Sequence, residues 1–289
     1  MKSIALAGLV ASATFFGGCA ANKSSISNNN KITKMEISNR EKVVALVKSI
    51  ETGAHEPVAY INPTKYIQHN LGVADGLAGF GAVLQQLPPN TAKANTVRAF
   101  QDGDFVFTQT DYNFFGPKIG FDIFRFEDGK IVEHWDNLIE KPTSPNPSGH
   151  TMIDGPTEIK DLDKTEANKA FVKGFIEDIL VNGKMEKIGG YFDGDNYIQH
   201  NPQIGDGLSG LGKAMQYMAS KGISMKIDKV HRVLGEGNFV LVVSEGTFGG
   251  VPTSYYDLFR VENGKIAEHW DVMETIAPKA EWKNANGKF

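Results

Sequence analysis

Apolar and polar positions follow the same order in two long stretches of the chain, a helical stripe first and strand-like runs after it. In the first stretch, Ser38 and Glu41 form the S-x-x-E pattern of a capping box, and Gly53 marks the end of the stripe. The apolar positions of this stripe are Val43, Val44, Val47 and Ile50. Their spacing of three and four residues predicts an amphipathic helix between Ser38 and Gly53.

The second stretch begins in the same way. Asp163 and Glu166 mark the predicted start of its helix, and Asn182 and Gly183 end it. The apolar stripe consists of Phe171, Val172, Phe175, Ile176 and Ile179. An equivalent amphipathic helix is therefore predicted in the second stretch.

Strand-like runs separated by turn residues fill the rest of each stretch. In the first, the predicted strands are 96–100, 105–114, 121–126 and 130–138, with Asp-Gly turns at 102–103 and 128–129. Short second helices are predicted before the strands, at 76–87 and 207–221. Helices followed by an antiparallel meander predict an α+β fold in which the helices pack on one face of a curved sheet.

The two stretches are copies of one unit, because whole segments recur. The pentapeptide YIQHN occupies positions 66–70 and again 197–201, and residues 121–136 and 256–271 are identical at 11 of 16 positions. Each copy has the length of a whole domain. The sequence therefore predicts one domain at 38–140, an exposed, proline-rich linker at 141–162 and a second domain at 163–289.

An apolar run followed by a cysteine opens the chain. The run at 4–16 is shorter than the ~20 residues that span a bilayer, and it has the length of a signal-peptide core. Gly17, Gly18 and Cys19 resemble the lipobox of bacterial lipoproteins, in which the cysteine is lipidated and becomes the new N-terminus. The sequence thus predicts a signal peptide at 1–19, a flexible tether at 20–37 and an exported cell-envelope lipoprotein held to the membrane through Cys19. Ordinary secretion is the alternative.

Composition excludes two classes of function. The formal charge of −4, from 30 Lys and Arg against 34 Asp and Glu, leaves no basic excess for binding nucleic acid. A single cysteine rules out an internal disulfide and a multi-cysteine metal site, so any metal ion would need histidine and carboxylate ligands.

The YIQHN segment, the Asp-Gly turn after it and the strand pair ending in E-H-W-D resemble the SnoaL-like branch of the nuclear-transport-factor-2-like superfamily. This resemblance implies two tandem cone-shaped domains, each enclosing one pocket between its N-terminal helices and its curved antiparallel sheet. Founding members of the branch are polyketide cyclases that carry out an intramolecular aldol condensation without a metal or an organic cofactor, and ketosteroid isomerase and scytalone dehydratase share the fold. The resemblance therefore implies a small-molecule ligand or substrate and no cofactor.

The E-H-W-D motif provides an acid and a base on one side of a strand. Alternation places His134 and Asp136 on one face and Glu133 and Trp135 on the other. The counterparts in the second copy are His269 and Asp271 opposite Glu268 and Trp270. An Asp buried in a pocket has a raised pKa and can take a proton next to a carbonyl, while the neighbouring His donates a proton to the oxygen.

Further residues of the repeated blocks are candidates for the same pockets. His69 and His200, from the two YIQHN segments, are predicted hydrogen-bond donors or acids in catalysis. The predicted lining of the pockets adds Asp122, Asp257, His231, Tyr66, Tyr197, Trp135 and Trp270. The second copy has His231 where the first has Val97, and for this reason we expect the second copy to be the active one. Purely structural roles, with each His bonded to a backbone carbonyl and each Asp paired with an Arg, are the alternative.

The sequence leaves three functions open. The first is a cofactor-free lyase or isomerase that uses the His and Asp pair for aldol-type or proton-transfer chemistry on a carbonyl compound. The second is non-catalytic binding of a small hydrophobic ligand at the cell envelope. The third is a metal site built from two His and one Asp. Its candidate ligands are His69, His134 and Asp136, or His200, His269 and Asp271.

The presence of two copies has a consequence for assembly. Domains of this superfamily commonly pair through their sheets, and a linker keeps two copies at a high effective concentration. We therefore expect an intramolecular pseudo-dimer of the two domains in a monomeric chain.

Overall fold

The first copy folds as helices followed by a five-stranded sheet. A computed structural model describes residues 37–88 and 90–289. The elements of the first copy are α1 (Asn39–Thr52), a 3-10 helix (Glu56–Tyr60), β1 (Ile67–Gln68), α2 (Gly76–Gln86), β2 (Lys93–Asp102), β3 (Phe105–Asn113), β4 (Pro117–Glu127) and β5 (Lys130–Glu140). The predicted signal peptide with Cys19, and all but the last residue of the predicted tether, lie outside the described residues.

The second copy has the same succession of elements with one irregular helix. Its elements are α3 (Thr165–Phe175), a π-helical turn (Ile176–Val181), α4 (Ile188–Tyr191), β6 (Ile198–Gln199), α5 (Gly207–Ser220), β7 (Met225–Glu236), β8 (Phe239–Phe248), β9 (Val251–Glu262) and β10 (Lys265–Thr275). Helix α3 begins at Thr165, later than the predicted start at Asp163, because the chain first makes a 3-10 turn over Leu162–Lys164. None of the helices in the described ranges combines the length and apolar content that crossing a membrane requires.

Each sheet has five strands in an equivalent order. The first sheet runs β1-β5-β4-β3-β2 and the second β6-β10-β9-β8-β7. The two-residue strands β1 and β6 pair parallel with β5 and β10, and all other pairs are antiparallel. The predicted α+β fold, with helices preceding an antiparallel meander in each copy, is confirmed.

Helix α1 begins and ends where the sequence predicts. The Ser38 hydroxyl accepts a hydrogen bond from the backbone N–H of Glu41 at 3.2 Å, and a Glu41 carboxylate oxygen accepts one from the backbone N–H of Ser38 at 2.7 Å. These two bonds complete the capping box. Gly53 ends the helix with a φ of 68°, a left-handed conformation that glycine adopts without steric cost.

One face of each sheet is covered by helices, and we call it the helix-covered face. In the first copy, Val43 and Val47 of α1 pack with Val106, Phe124 and Tyr66. In the second copy, the corresponding cluster contains Val172, Phe175, Tyr197, Val240 and Phe259. The amphipathic stripes read from the sequence are therefore the surfaces that contact the sheets.

The opposite faces of the two sheets share one apolar core, and we call them the inter-sheet faces. Phe100 and Phe239, one from each copy, have ring centroids 4.7 Å apart, and Trp135 and Trp270 are at most 1% exposed in the same cluster. Two polar contacts also join the copies, since Asn137 Nδ2 donates to the backbone carbonyls of Ser254 and Val272 at 2.9 and 3.0 Å. Arg98 and Arg232 lie over the rings of Trp270 and Trp135, at 4.3 and 4.0 Å.

The segments that follow β5 and β10 each pack on the other copy. In the linker, Asn146 Nδ2 donates to the carbonyls of Gln199 and Ile204 at 2.6 and 3.0 Å. In residues 276–289, which we call the tail, Asn284 and Asn286 bond in a similar way to carbonyls of residues 68, 70 and 73. The prediction of an exposed linker is wrong at Asn146 and Met152, both 5% exposed, because Asn146 bonds to the second copy and Met152 packs in the shared core.

The shared core predicts that the two copies lose stability together. Replacement of Phe239 by Ala removes a ring with no exposed surface, so we expect the free energy of unfolding to fall by about 3–5 kcal/mol. Chemical denaturation followed by fluorescence measures this change. The control is Tyr217→Ala, at a 61% exposed position, which should change the free energy by less than about 0.5 kcal/mol. A Phe239→Ala loss no larger than that of the control would contradict the shared core.

Candidate functional site

Three ionisable side chains of the second copy meet on its helix-covered face. Strands β9 and β10 pair so that Asp257 lies opposite Asp271 and Phe259 opposite His269. His269 Nε2 is 3.0 Å from Asp257 Oδ1. Asp257 and Asp271 are only 6% and 8% exposed, and their neighbour Phe259 packs under α3. We call Asp257, His269 and Asp271 the acid–base group.

Both ring nitrogens of His269 face hydrogen-bond acceptors. Nδ1 is 3.0 Å from Oε1 of Gln199, an oxygen that also accepts from two backbone N–H groups at 2.9 Å. The other end of the Gln199 amide donates to the Tyr197 hydroxyl at 2.9 Å, which fixes the orientation of the amide. Because a neutral imidazole carries one N–H, hydrogen bonds to both Gln199 and Asp257 require an imidazolium or a protonated Asp257.

The surroundings change the pKa values of two members of the acid–base group. Burial by itself lowers the pKa of His269, but the hydrogen bond to Asp257 and the charges of Asp271 and Asp257 raise it above its ordinary value. Burial raises the pKa of Asp271, against the charge of His269 and the hydrogen bond from Asn201. Both side chains therefore hold their protons more tightly than they do in water.

The two carboxylates of the group are held differently. Asn201 Nδ2 donates to both oxygens of Asp271, at 3.0 and 2.8 Å. Asp257 Oδ2 is buried and has no hydrogen-bond partner in the described part of the chain. An unpaired buried oxygen of this kind is costly, so Asp257 offers an acceptor to a polar ligand atom that enters the group.

The first copy contains a related arrangement. In it, the oxygen of Asp122 that corresponds to Oδ2 of Asp257 has a hydrogen-bond partner. His134 Nε2 is 3.3 Å from Asp122 Oδ1, and His134 Nδ1 is 2.9 Å from Gln68 Oε1. The Tyr112 hydroxyl donates to Asp122 Oδ2 at 2.9 Å. Burial raises the pKa of Asp122. Tyr112 therefore donates to the oxygen of Asp122 whose counterpart on Asp257 is unpaired among the described residues.

Asp136, the first-copy counterpart of Asp271, has a positive charge beside it. Asn70 Nδ2 donates to its Oδ2 at 2.7 Å. Lys288 of the tail places Nζ 3.8 Å from its Oδ1 and 2.8 Å from Glu274, with only 2% of the Lys288 side chain exposed. The tail thus supplies a counter-charge to the carboxylate of the first copy.

His200 lies on the inter-sheet face, away from the acid–base group. Its ring stacks on Trp270 with centroids 4.6 Å apart, and its Nε2 is 2.8 Å from Glu268 Oε1. Alternation places Trp270 and Glu268 on the face opposite to His269 and Asp271, as the sequence predicts. The structure therefore does not bring His200 together with His269.

His69 repeats these contacts in the first copy. It stacks on Trp135 at 4.7 Å and approaches Glu133 Oε1 to 2.9 Å, on the face opposite to His134 and Asp136. The catalytic roles assigned to His69 and His200 stay predictions, and neither predicted two-His, one-Asp metal set is assembled.

The remaining candidates divide between the two faces. Tyr66 and Tyr197 are buried on the helix-covered faces, and burial raises the pKa of both hydroxyls. Trp135 and Trp270 are part of the shared core. His231 stacks on Phe289 of the tail at 4.1 Å and has Nε2 3.1 Å from Glu245, and burial lowers its pKa.

Two surface cavities of the described residues have linings that do not include the acid–base group. One, of about 230 Å3, is lined by the linker together with Ile119 and Pro202. The other, of about 380 Å3, is an open cleft in the first copy that reaches Tyr112. Tyr112, which lines this cleft, also donates its hydroxyl hydrogen bond to Asp122.

Sequence reasoning missed the amides that hold the two His–Asp arrangements. Gln68 and Asn70, with Gln199 and Asn201, bond to the His and Asp of E-H-W-D across the parallel pairs β1·β5 and β6·β10. The identity of both YIQHN segments was the available signal, since Gln and Asn recur with the histidine between them. Tyr112 had no such signal, because it has no counterpart in the second copy.

The comparison with protein families matches part of the second copy. Residues 172–269 match the family model described as a SnoaL-like domain. A comparison with curated proteins gives no match.

Solved structures of low identity match between 34% and 41% of this chain. IdmH from Streptomyces antibioticus, proposed to be a polyketide cyclase, is 18% identical over 34% of this chain and 89% of its own, with a TM-score of 0.30. A proposed ketosteroid isomerase from Kribbella flavida is 16% identical over 41% and 90%, with a TM-score of 0.32. An NTF2-like protein from Cytophaga hutchinsonii is 16% identical over 37% and 94%, also at 0.32. Residues 172–269, which include Asp257 and His269 and end two residues before Asp271, are thus similar to the SnoaL-like domain family.

Proposed function

We propose that the second copy catalyses a cofactor-free proton transfer on a small carbonyl compound, as a lyase or isomerase. The observation that carries this proposal is the buried acid–base group, in which the ring of His269 contacts Asp257 and the charges of Asp257 and Asp271 raise its pKa. A match of the same segment to the SnoaL-like domain model supports a small-molecule site.

Each member of the group has a distinct task in this reaction. Asp271 is the base, because burial raises its affinity for a proton and so strengthens it toward a C–H next to a carbonyl. His269 donates a proton to the developing enolate oxygen. Asp257 is a positioning residue, since its hydrogen bond orients the His269 ring and stabilises the imidazolium.

The differences between the copies favour the second as the active one. In the first copy, the Tyr112 hydroxyl donates a hydrogen bond to Oδ2 of Asp122, and Lys288 lies beside Asp136. In the second, the corresponding oxygen of Asp257 is unpaired in the described residues. A polar group of a substrate can therefore donate a hydrogen bond to Asp257 in the second copy. In the first copy, the corresponding oxygen of Asp122 already accepts one from Tyr112.

Substitution of the base tests the reaction. Turnover of a panel of β-keto and enone compounds by the full chain should fall by about 10²–10⁴-fold in Asp271→Asn, because the amide cannot take a proton. The matched control is Asp228→Asn, an exposed position on β7, which should keep its activity. Asp136→Asn distinguishes the copies, since it should leave turnover unchanged if only the second copy works, whereas two equally active copies would each lose only about half of the turnover in either variant. Binding of panel compounds that Asp271→Asn abolishes, without turnover by the parent, would contradict catalysis and favour a binding protein.

We also propose that the chain is exported, anchored through Cys19 and monomeric, with its two copies forming the pair that separate subunits form elsewhere in the superfamily. The signal-like segment at 1–16 and the Gly-Gly-Cys sequence after it support the anchor. The Phe100 and Phe239 contact and the Asn137 hydrogen bonds support the internal pair.

The anchor makes a prediction about one side chain. Cys19→Ala should abolish incorporation of labelled palmitate and move the protein from the membrane fraction to the soluble fraction of expressing cells, because the thiol is the attachment point. Ser25→Ala, in the predicted tether, should change neither. Membrane association that persists in Cys19→Ala, or a parent chain that takes up no label, would contradict lipidation.

A further inference from the structure

A second group of titratable side chains lies outside the acid–base group, where the linker meets the second copy. His150 and Asp154 belong to the linker, and His200 follows β6. One ligand atom from each of the three lies within 4.8 Å of the others. His200 is 1% exposed, whereas Asp154 is exposed, so one side of this cluster is open to ions in solution. We call these three residues the linker cluster.

The hydrogen bonds around the linker cluster leave one ring nitrogen of His150 and one of His200 with a lone pair that faces the carboxylate of Asp154. His150 Nε2 is 3.1 Å from Asp206 Oδ2, and His200 Nε2 is 2.8 Å from Glu268 Oε1. Since a carboxylate only accepts, each neutral ring carries its proton on Nε2 and leaves Nδ1 unprotonated. The Nδ1 atoms are 3.9 and 2.7 Å from the oxygens of Asp154.

Lone pairs that face a carboxylate repel it unless a cation lies between them. A second ring proton on His200 satisfies one contact, but the 3.9 Å from His150 Nδ1 to Asp154 is too long for a hydrogen bond. The backbone carbonyl of Thr151 adds a further oxygen 2.8 Å from His200 Nδ1. A single metal ion can accept from all of these atoms at once.

The outer partners also have the form of a metal site. A histidine ligand commonly donates its other ring N–H to a carboxylate, which fixes the ring and raises its basicity. Asp206 and Glu268 are placed to accept in this way, and Arg260 Nε donates to Glu268 at 2.7 Å. The backbone N–H of Thr151 donates to both oxygens of Asp154, at 3.1 and 3.2 Å, and so orients this carboxylate.

The first copy provides a comparison within the same chain. His69 has the same stacked ring, an equivalent carboxylate on Nε2 and, like His200, a backbone carbonyl 2.8 Å from its Nδ1, here that of Gly287. Within residues 37–88 and 90–289, His69 belongs to no group of three metal-ligand side chains. The linker therefore supplies His200 with two further candidate ligands, His150 and Asp154. Among the described residues, the tail supplies no such ligands to His69.

We propose that His150, Asp154 and His200 bind one divalent transition-metal ion, with the Thr151 carbonyl as a further ligand. Two imidazoles with oxygen ligands suit zinc, whose ligands at ~2.0–2.2 Å lie on the order of 3.3 Å from one another, between the two distances to Asp154 given above. The ion joins the linker to the second copy. Trp270 Nε1 donates to the Asp154 carbonyl at 3.0 Å, so the same ion stabilises the contact with the shared core.

Calorimetric titration of the untagged, chelator-treated full chain with zinc chloride near pH 7.5 tests this proposal. We expect one saturable site per chain in the parent. His150→Gln and Asp154→Asn each remove a ligand and should weaken zinc binding by more than about 100-fold, whereas Asp206→Asn removes an outer partner and should weaken it ~10–100-fold. The matched control is His231→Gln, which removes another histidine that lies beside a carboxylate and should leave binding unchanged.

Thermal unfolding provides a second readout that does not depend on any enzymatic activity. Zinc should raise the melting temperature of the parent and of His231→Gln, but not that of His150→Gln or Asp154→Asn, because a ligand that binds only the folded state stabilises it. Circular dichroism without metal establishes that the variants are folded, and Asp154 is exposed enough for its variant to remain so. A parent without a saturable site, or unchanged binding in both His150→Gln and Asp154→Asn, would overturn the proposal.

Discussion

The packing of the two sheets on each other is the constraint on which the rest of the structure depends. It buries one face of every central strand in a common core that contains Phe100 and Phe239, and the acid–base group lies on the other face. Because side chains alternate along a strand, Trp270 becomes part of the core while His269 and Asp271 lie under the helices. A shift in register by one residue would exchange these faces and bury charges in the apolar core.

The segments outside the repeated unit make the two copies different. The linker and the tail cross to opposite copies and bond to equivalent backbone carbonyls. Their side chains are not equivalent, however. The tail places Lys288 beside Asp136, and the linker places His150 and Asp154 beside His200. The two copies therefore share one strand order, and the linker and the tail give each copy its own charges.

The sequence predicts the fold and the faces of the long strands well, because both follow from local patterns. The capping box of α1 and the separation of His134 from Trp135 need only spacing and alternation. The surroundings of His69 and His200 could not be predicted, since each follows a two-residue strand and its stacking partner lies on a strand distant in sequence. The burial of Asn146 was missed for a similar reason, because a proline-rich segment reveals its composition but not the groove that receives it.

The charge of His269 is the central feature of the proposed site, and nitrogen NMR of histidine-labelled protein measures it directly. A raised pKa means that the folded state keeps the proton as pH rises past about 6.5, the ordinary histidine value, and loses it only at higher pH. The account predicts that the His269 ring titrates at a higher pH than an ordinary histidine, and that Asp257→Asn moves this titration to lower pH. A His269 ring that titrates at or below the ordinary histidine value in the parent, or a titration that Asp257→Asn leaves unchanged, would contradict the account.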